Sequence, residues 1–166
     1  MSGEDRSHIS GDSQDEPRYW GELRALYDQL DEEVSRLGPV CQLSGRCCRF
    51  QEYGHALFVS DLEIEFLLSG APEAPRPLDR GQTCPWQDAR GQCTARGARP
   101  LGCRVYYCDP SYQAAASDLS ERFIAGLKHL ADRHGLSWNY APLHRHLHER
   151  RDQGSLDIEL AASDLS

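Results

Sequence analysis

"PRYWGELRALYDQLDEEVSRLGPVCQLSGRCC", residues 17–48, decides how the chain is read. Its first part carries Tyr19, Trp20, Leu23, Leu26, Tyr27, Leu30, Val34 and Leu37 at three- and four-residue steps with acids between them, the pattern of an amphipathic helix. Pro17 suits a first turn, because the N–H it lacks is one that a helix start leaves unpaired anyway. Gly38 and Pro39 stop the helix: glycine takes the left-handed cap and proline cannot continue. The chain then arrives at Cys41, Cys47 and Cys48, and four more cysteines follow by position 108.

Downstream, "HALFV" at 55–59 is short and apolar, a strand signal. Ser60 and Glu63 have capping-box spacing, which predicts a short helix over 61–69 ended by Gly70. Three prolines make "APEAPRPLDRGQT" an extended surface connection. Turn residues from Asp88 to Gly91, between Cys84 and Cys93, predict a hairpin that presents two thiols; the rest of 84–108 reads as too polar to build a core. A second long helix is predicted from Asp118 to about His134, with Leu119, Phe123, Ile124, Leu127, Leu130 and Ala131 inward and Gly135 as cap. "LSWNY" at 136–140 reads as a strand or an extended arm, and Pro142 opens a third helix, "PLHRHLHERR". The expected fold is α+β, mainly helical: one small domain at 17–150 with a loop-rich, metal-stapled cysteine site at 41–108. Residues 1–16 read as a disordered polar tail. Residues 151–166 read as a loose acidic end, packed at most through Leu156, Ile158 and Leu160.

At 166 residues and a net charge of −8, the bulk electrostatics favour neither nucleic acid nor an anionic membrane surface. No stretch approaches the roughly 18 apolar residues of a membrane span. "MSGEDRSHIS" has no apolar h-region, so the expectation is a cytoplasmic protein. In a reducing cytosol, seven cysteines read as ligands or catalytic thiols rather than disulfides, and an odd count resists full pairing.

The cysteine spacing is C-x5-C-C-x35-C-x8-C-x9-C-x4-C, set among Gly, Pro and Arg rather than in the apolar periodic segments where structural cysteines sit. Loops without a core can be held by a metal, whose binding free energy becomes folding free energy. Arg46, Arg49, Arg90, Arg96, Arg99 and Arg104 lie within a few residues of the thiols, where guanidinium can donate to thiolate or sulfide. The plainer reading leaves them as solvated surface charges. Zinc knuckles are usually C-x2-C, absent here, and ferredoxin spacings are absent too. Seven thiols suit a cubane held by four, or two metal ions that borrow an eighth ligand. Adjacent Cys47 and Cys48 favour a polynuclear cluster or two neighbouring sites.

"CQLSGRCC" resembles the CxxCxxCC signature of the YkgJ-type cysteine-cluster family, and "CPW", "GQC" and "RPLGCRVYYC" are similar to that family's later pattern. The likeness covers about residues 41–108. It implies that Cys41, Cys47, Cys48, Cys84, Cys93, Cys103 and Cys108 bind an iron-sulfur cluster or, alternatively, zinc. The family's second cysteine falls on Ser44, a poorer ligand than a thiolate, so His55, Asp109 or water could complete the set. The family also resembles the cysteine-rich part of bacterial flagellin lysine N-methylases, but this sequence has neither a glycine-rich nucleotide loop after a strand nor the C-x3-C-x2-C of radical enzymes.

Other groups carry less. His144 and His148 share a helix face at i, i+4 spacing, yet a polar face with Leu143 and Leu147 inward explains "HRHLH" as well. Trp86, Tyr106 and Tyr107 read as packing that could also shield a cluster. Asp61, Glu63 and Glu65 read as a solvated face. Three functions follow as expectations: an iron-sulfur protein in electron transfer or a redox step with a protein partner, as an oxidoreductase; a structural zinc module for protein interaction; and a metalloenzyme whose partly open site rests on Ser44.

Overall fold

The computed structural model describes residues 16–40 and 45–162. Helix α1 spans Tyr19–Leu37 and buries Leu23, Tyr27, Leu30 and Val34, the stripe its periodicity predicts. Gly38 caps it at φ 61°, donating its N–H to Val34. Helix α5, Gln113–Arg133, lies against it with Leu119, Phe123, Leu127 and Leu130 inward. It begins five residues before the expected Asp118. Each of these fully buried leucines contributes about 1.5–3 kcal/mol by leaving water.

Between the two long helices sits α4, Leu101–Val105, whose Leu101 and Val105 join this first core. The stretch 84–108 is therefore not too polar to build a core. It supplies Trp86, Ala95 and Ala98 to a second one, which Phe50, Val59, Ile64, Leu67, Leu78, Leu143 and Leu147 complete. Helices α2 (Phe50–Tyr53), α3 (Asp61–Gly70) and α6 (Leu143–Asp152) surround that second core. The strand signal shrinks to β1, Phe58–Val59, paired antiparallel with β2, Ala141–Pro142. Residues 136–140 form no strand. Leu156, Ile158 and Leu160 do pack on the second core, and Leu160 bridges Leu78. The mainly helical α+β domain is thus the observed architecture.

Glu63 joins the two cores and corrects the reading of a solvated acidic face. It is 1% exposed. One carboxylate oxygen accepts the Ser60 N–H at 2.9 Å, closing the capping box of α3. The other accepts the Leu101 N–H at 2.7 Å and the Tyr27 hydroxyl at 3.1 Å. Burial pushes its carboxyl above the usual range, and these donors oppose that shift.

Leu143 and Leu147 point inward as expected, and the histidines of "HRHLH" form a clasp rather than a plain polar face. The Nε2 atoms of His144, His146 and His148 lie 3.1, 2.9 and 2.8 Å from the carbonyls of Thr83, Val59 and Asp79. A carbonyl only accepts, so each Nε2 carries the proton and donates it. These rings tie α6 to the proline-rich connection and to β1.

Candidate metal centre

Short-range chemistry places each thiol. Cys47 and Cys48 stand on a single 3-10 turn, Arg46–Cys48, entered through Gly45 at φ 69°. A Cβ on Gly45 would lie 2.5 Å from the Gly91 carbonyl, so only glycine fits the approach. Gln87 fixes it by donating to the carbonyls of Gly45 and Gly91, each at 3.1 Å. The predicted hairpin is present: Gln87 bridges Cys93, and Gly91 turns the chain at φ 79°. The Cys84 N–H donates to the Cys48 carbonyl at 2.8 Å. Cys103 lies within α4, and Cys108 ends the extension that follows it.

Five of these cysteines, Cys47, Cys48, Cys93, Cys103 and Cys108, line one cavity of about 200 Å³. Cys84 meets Cys47, Cys48, Cys93 and Cys103 around a smaller void behind it, closed by Phe50, Trp86 and Leu143. The thiols therefore have a hydrophobic wall on one side, which their Gly- and Arg-rich flanks concealed. All six described cysteines are free thiols. Among the described residues, no three His, Cys, Asp or Glu side chains converge in a geometry ready for one metal ion. Cys47 and Cys48 have their sulfurs 3.9 Å apart. Cys41 and Ser44 lie outside the described residues, as does the expected tail through residue 15.

Protons are distributed unevenly over this set. Hydrogen bonding to Cys47 above all, then to Cys84 and Cys93, and then burial push the Cys48 thiol up. The same contacts from Cys48 bring Cys47 down to about 7 and Cys93 down to about 6, with Arg99 helping both. Burial first, and then the neighbouring thiolates, push Cys103 up. The pattern is a crowd of sulfurs that cannot all ionise without a compensating cation.

Arg46, Arg96 and Arg99 line the cavity, and no carboxylate does among the described residues. The Nε of Arg99 is buried there without a hydrogen-bond partner. Arg104 has another task. Its guanidinium sits 4.2 Å over the Tyr27 ring, pairs with Asp31 at 2.7 Å and donates to the carbonyls of Arg99 and Gly97, clamping the cysteine segment to α1. No family model, curated protein or solved structure matches this chain. The resemblance to the cysteine-cluster family thus rests on the order and spacing of the cysteines and the Arg-Pro before Cys103.

The two auxiliary candidates stand outside the cavity. His55 Nε2 lies 3.4 Å from the Cys47 carbonyl, and its ring stacks on Tyr106 with centroids 5.2 Å apart. The Asp109 carboxylate caps the next turn through Ser111 and accepts the Val40 N–H at 3.2 Å, which holds its carboxyl below the usual range. Trp86 is packing, with its indole N–H on the Pro72 carbonyl at 2.9 Å. Tyr106 and Tyr107 line the cavity.

Proposed function

We propose that the chain is a metal-cluster protein, an iron-sulfur protein of the YkgJ-type cysteine-cluster kind, that exchanges electrons with a protein partner. The observation that carries this reading is the gathering of five cysteines about one arginine-lined cavity, with Cys84 at the void behind it. Two features support a cluster over a single zinc ion. Five cysteines line a space of about 200 Å³, and Arg99 has a buried donor with no acceptor among the described residues, suited to a bound sulfide or thiolate.

On this reading Cys47, Cys48, Cys84, Cys93, Cys103 and Cys108 supply the thiolates, together with Cys41. An iron-sulfur cluster, when bound, would supply one-electron chemistry. Phe50, Trp86 and Leu143 exclude water from the rear, and the arginines offset the gathered negative charge. Tyr106, 37% exposed, stands at the side a partner would reach.

The test is iron and acid-labile sulfide analysis of protein purified without air, with Cys48→Ser beside it. Iron with matching sulfide, lost in the variant, is the expected result. Zinc without sulfide would replace this reading with the structural zinc module. Metal content unchanged in Cys48→Ser, and again in Cys47→Ser and Cys103→Ser, would remove the cysteines as ligands.

A further inference from the structure

Away from the thiols a second cavity, of about 640 Å³, runs along α6. Its volume lies within the range of about 300–1,000 Å³ typical of small-molecule sites. The floor is apolar, made by Phe50, Leu57, Pro142, Leu143 and Leu160. The rim is cationic: Arg80, Arg145 and Arg151 line it, against Asp152 as the one lining carboxylate among the described residues. For a chain of net charge −8 this is a local reversal of sign.

The contacts of Arg145 and Arg151 leave their charge on the rim. Arg145 meets Glu149 at 3.2 Å as an i, i+4 pair with its side chain 67% exposed, and solvent-exposed pairs of this kind hold little energy. Arg151 donates Nε to the Ile158 carbonyl at 3.0 Å, and the Asp152 carboxylate lies 3.9 Å from its guanidinium. His144 and His148 also line the groove, and their Nε2–H groups are taken up by the carbonyls of Thr83 and Asp79.

We infer that this groove binds a small organic anion with an apolar body, of the class of medium-chain carboxylates. An uncharged apolar ligand would leave the arginines unused, and a bare inorganic anion would leave the apolar floor wet. Only an amphiphile with one negative group satisfies both. The inference does not depend on a metal. Phe50 and Leu143 separate the groove from the void at Cys48 and Cys84, so the two sites share a wall but no ligand.

The experiment is calorimetric titration of the full chain with decanoate at low salt, with decyltrimethylammonium and acetate as comparison probes. Saturation at one decanoate per chain is expected, with weak or no binding of the other two. Ala56→Trp, at an exposed position on the groove, should abolish the signal by filling the space. Arg145→Glu should weaken it by about tenfold, because an attraction becomes a repulsion, and added salt should weaken it in the parent protein. Far-ultraviolet circular dichroism and the melting temperature confirm that both variants fold. Equal binding of the cationic probe, absence of saturation, or decanoate binding unchanged in folded Ala56→Trp would each overturn the inference.

Discussion

Cys84 donates its backbone N–H to the carbonyl of Cys48 at 2.8 Å, so two thiols 36 positions apart are held in register by the main chain itself. Around them Phe50, Trp86, Ile64, Leu67 and Leu143 form an ordinary apolar core. The site is therefore less dependent on a metal staple than its loop-rich sequence suggests. Metal-free protein, prepared with a chelator under reducing conditions, should keep its helical far-ultraviolet signal and melt cooperatively, at a lower temperature than the loaded form. A chain that loses its helical signal on chelation would show that the metal, not the core, builds the second half of the domain.

Arg99 separates the cost of an empty site from the benefit of a full one. Its buried Nε has no partner among the described residues, while its carbonyl is used by Arg104 and would survive substitution. Arg99→Leu should leave the metal-free protein as stable as before or slightly more so, because an unpaired buried donor is removed. In the loaded protein the same change should lower metal affinity by about tenfold or more, as loss of an outer-shell donor does. Equal effects on both forms, read from melting temperatures and competition with a chromogenic chelator, would make Arg99 a packing residue only.

Glu63 offers a sharper stability test. Its oxygens face the N–H groups of Ser60 and Leu101, so Glu63→Gln would turn an amide N–H toward groups that can only donate. A loss of about 1–3 kcal/mol in urea unfolding is expected. No measurable loss would mean that the two cores are held together without this carboxylate.

These long-range partners explain which features could be read from sequence. Helix α1, its Gly38 cap, the Ser60–Glu63 capping box and the Cys84–Cys93 hairpin all rest on residues a few positions apart, and all are present. Glu63 looked solvated because Tyr27 and Leu101 are 36 and 38 residues away. The histidines looked like a polar face because their carbonyl partners lie 61, 87 and 69 residues off. Helix α4 is five residues long, too short to show a period. The early start of α5 has a local signal: Ala114, Ala115 and Ala116 are strong helix formers, and Ala115 and Ala116 pack on the first core. The groove beside α6 has no signal in the sequence, since segments around residues 50, 80, 145 and 160 assemble it.

Gly45 should be intolerant of a side chain for two reasons that add. Its φ of 69° costs an L-residue about 1 kcal/mol or more, and a Cβ would meet the Gly91 carbonyl at 2.5 Å. Gly45→Ala is expected to lower stability by about 1–3 kcal/mol and to push the Cys47–Cys48 turn away from the Cys93 hairpin. Thiol accessibility to a maleimide reagent should rise at Cys93 in parallel. By contrast Gly97, where a Cβ meets nothing within 4 Å, should accept alanine with little change.

Acid should weaken the domain through His144. The ring is 7% exposed, and burial lowers its pKa from the usual 6.5 even though Asp79 lies 2.9 Å away and favours the charged form. A base whose folded pKa is depressed binds its proton more readily when unfolded. Its contribution is complete above pH 6.5 and is lost as pH falls through the lower folded value. The slope between those limits can reach about 1.4 kcal/mol per pH unit for one group. His144→Gln keeps an N–H donor for the Thr83 carbonyl but does not titrate, so urea midpoints measured from pH 7 to pH 5 should fall less steeply in the variant than in the parent. Parallel slopes in the two proteins would assign the acid sensitivity to other groups and leave His144 only its clasp between α6 and residue 83.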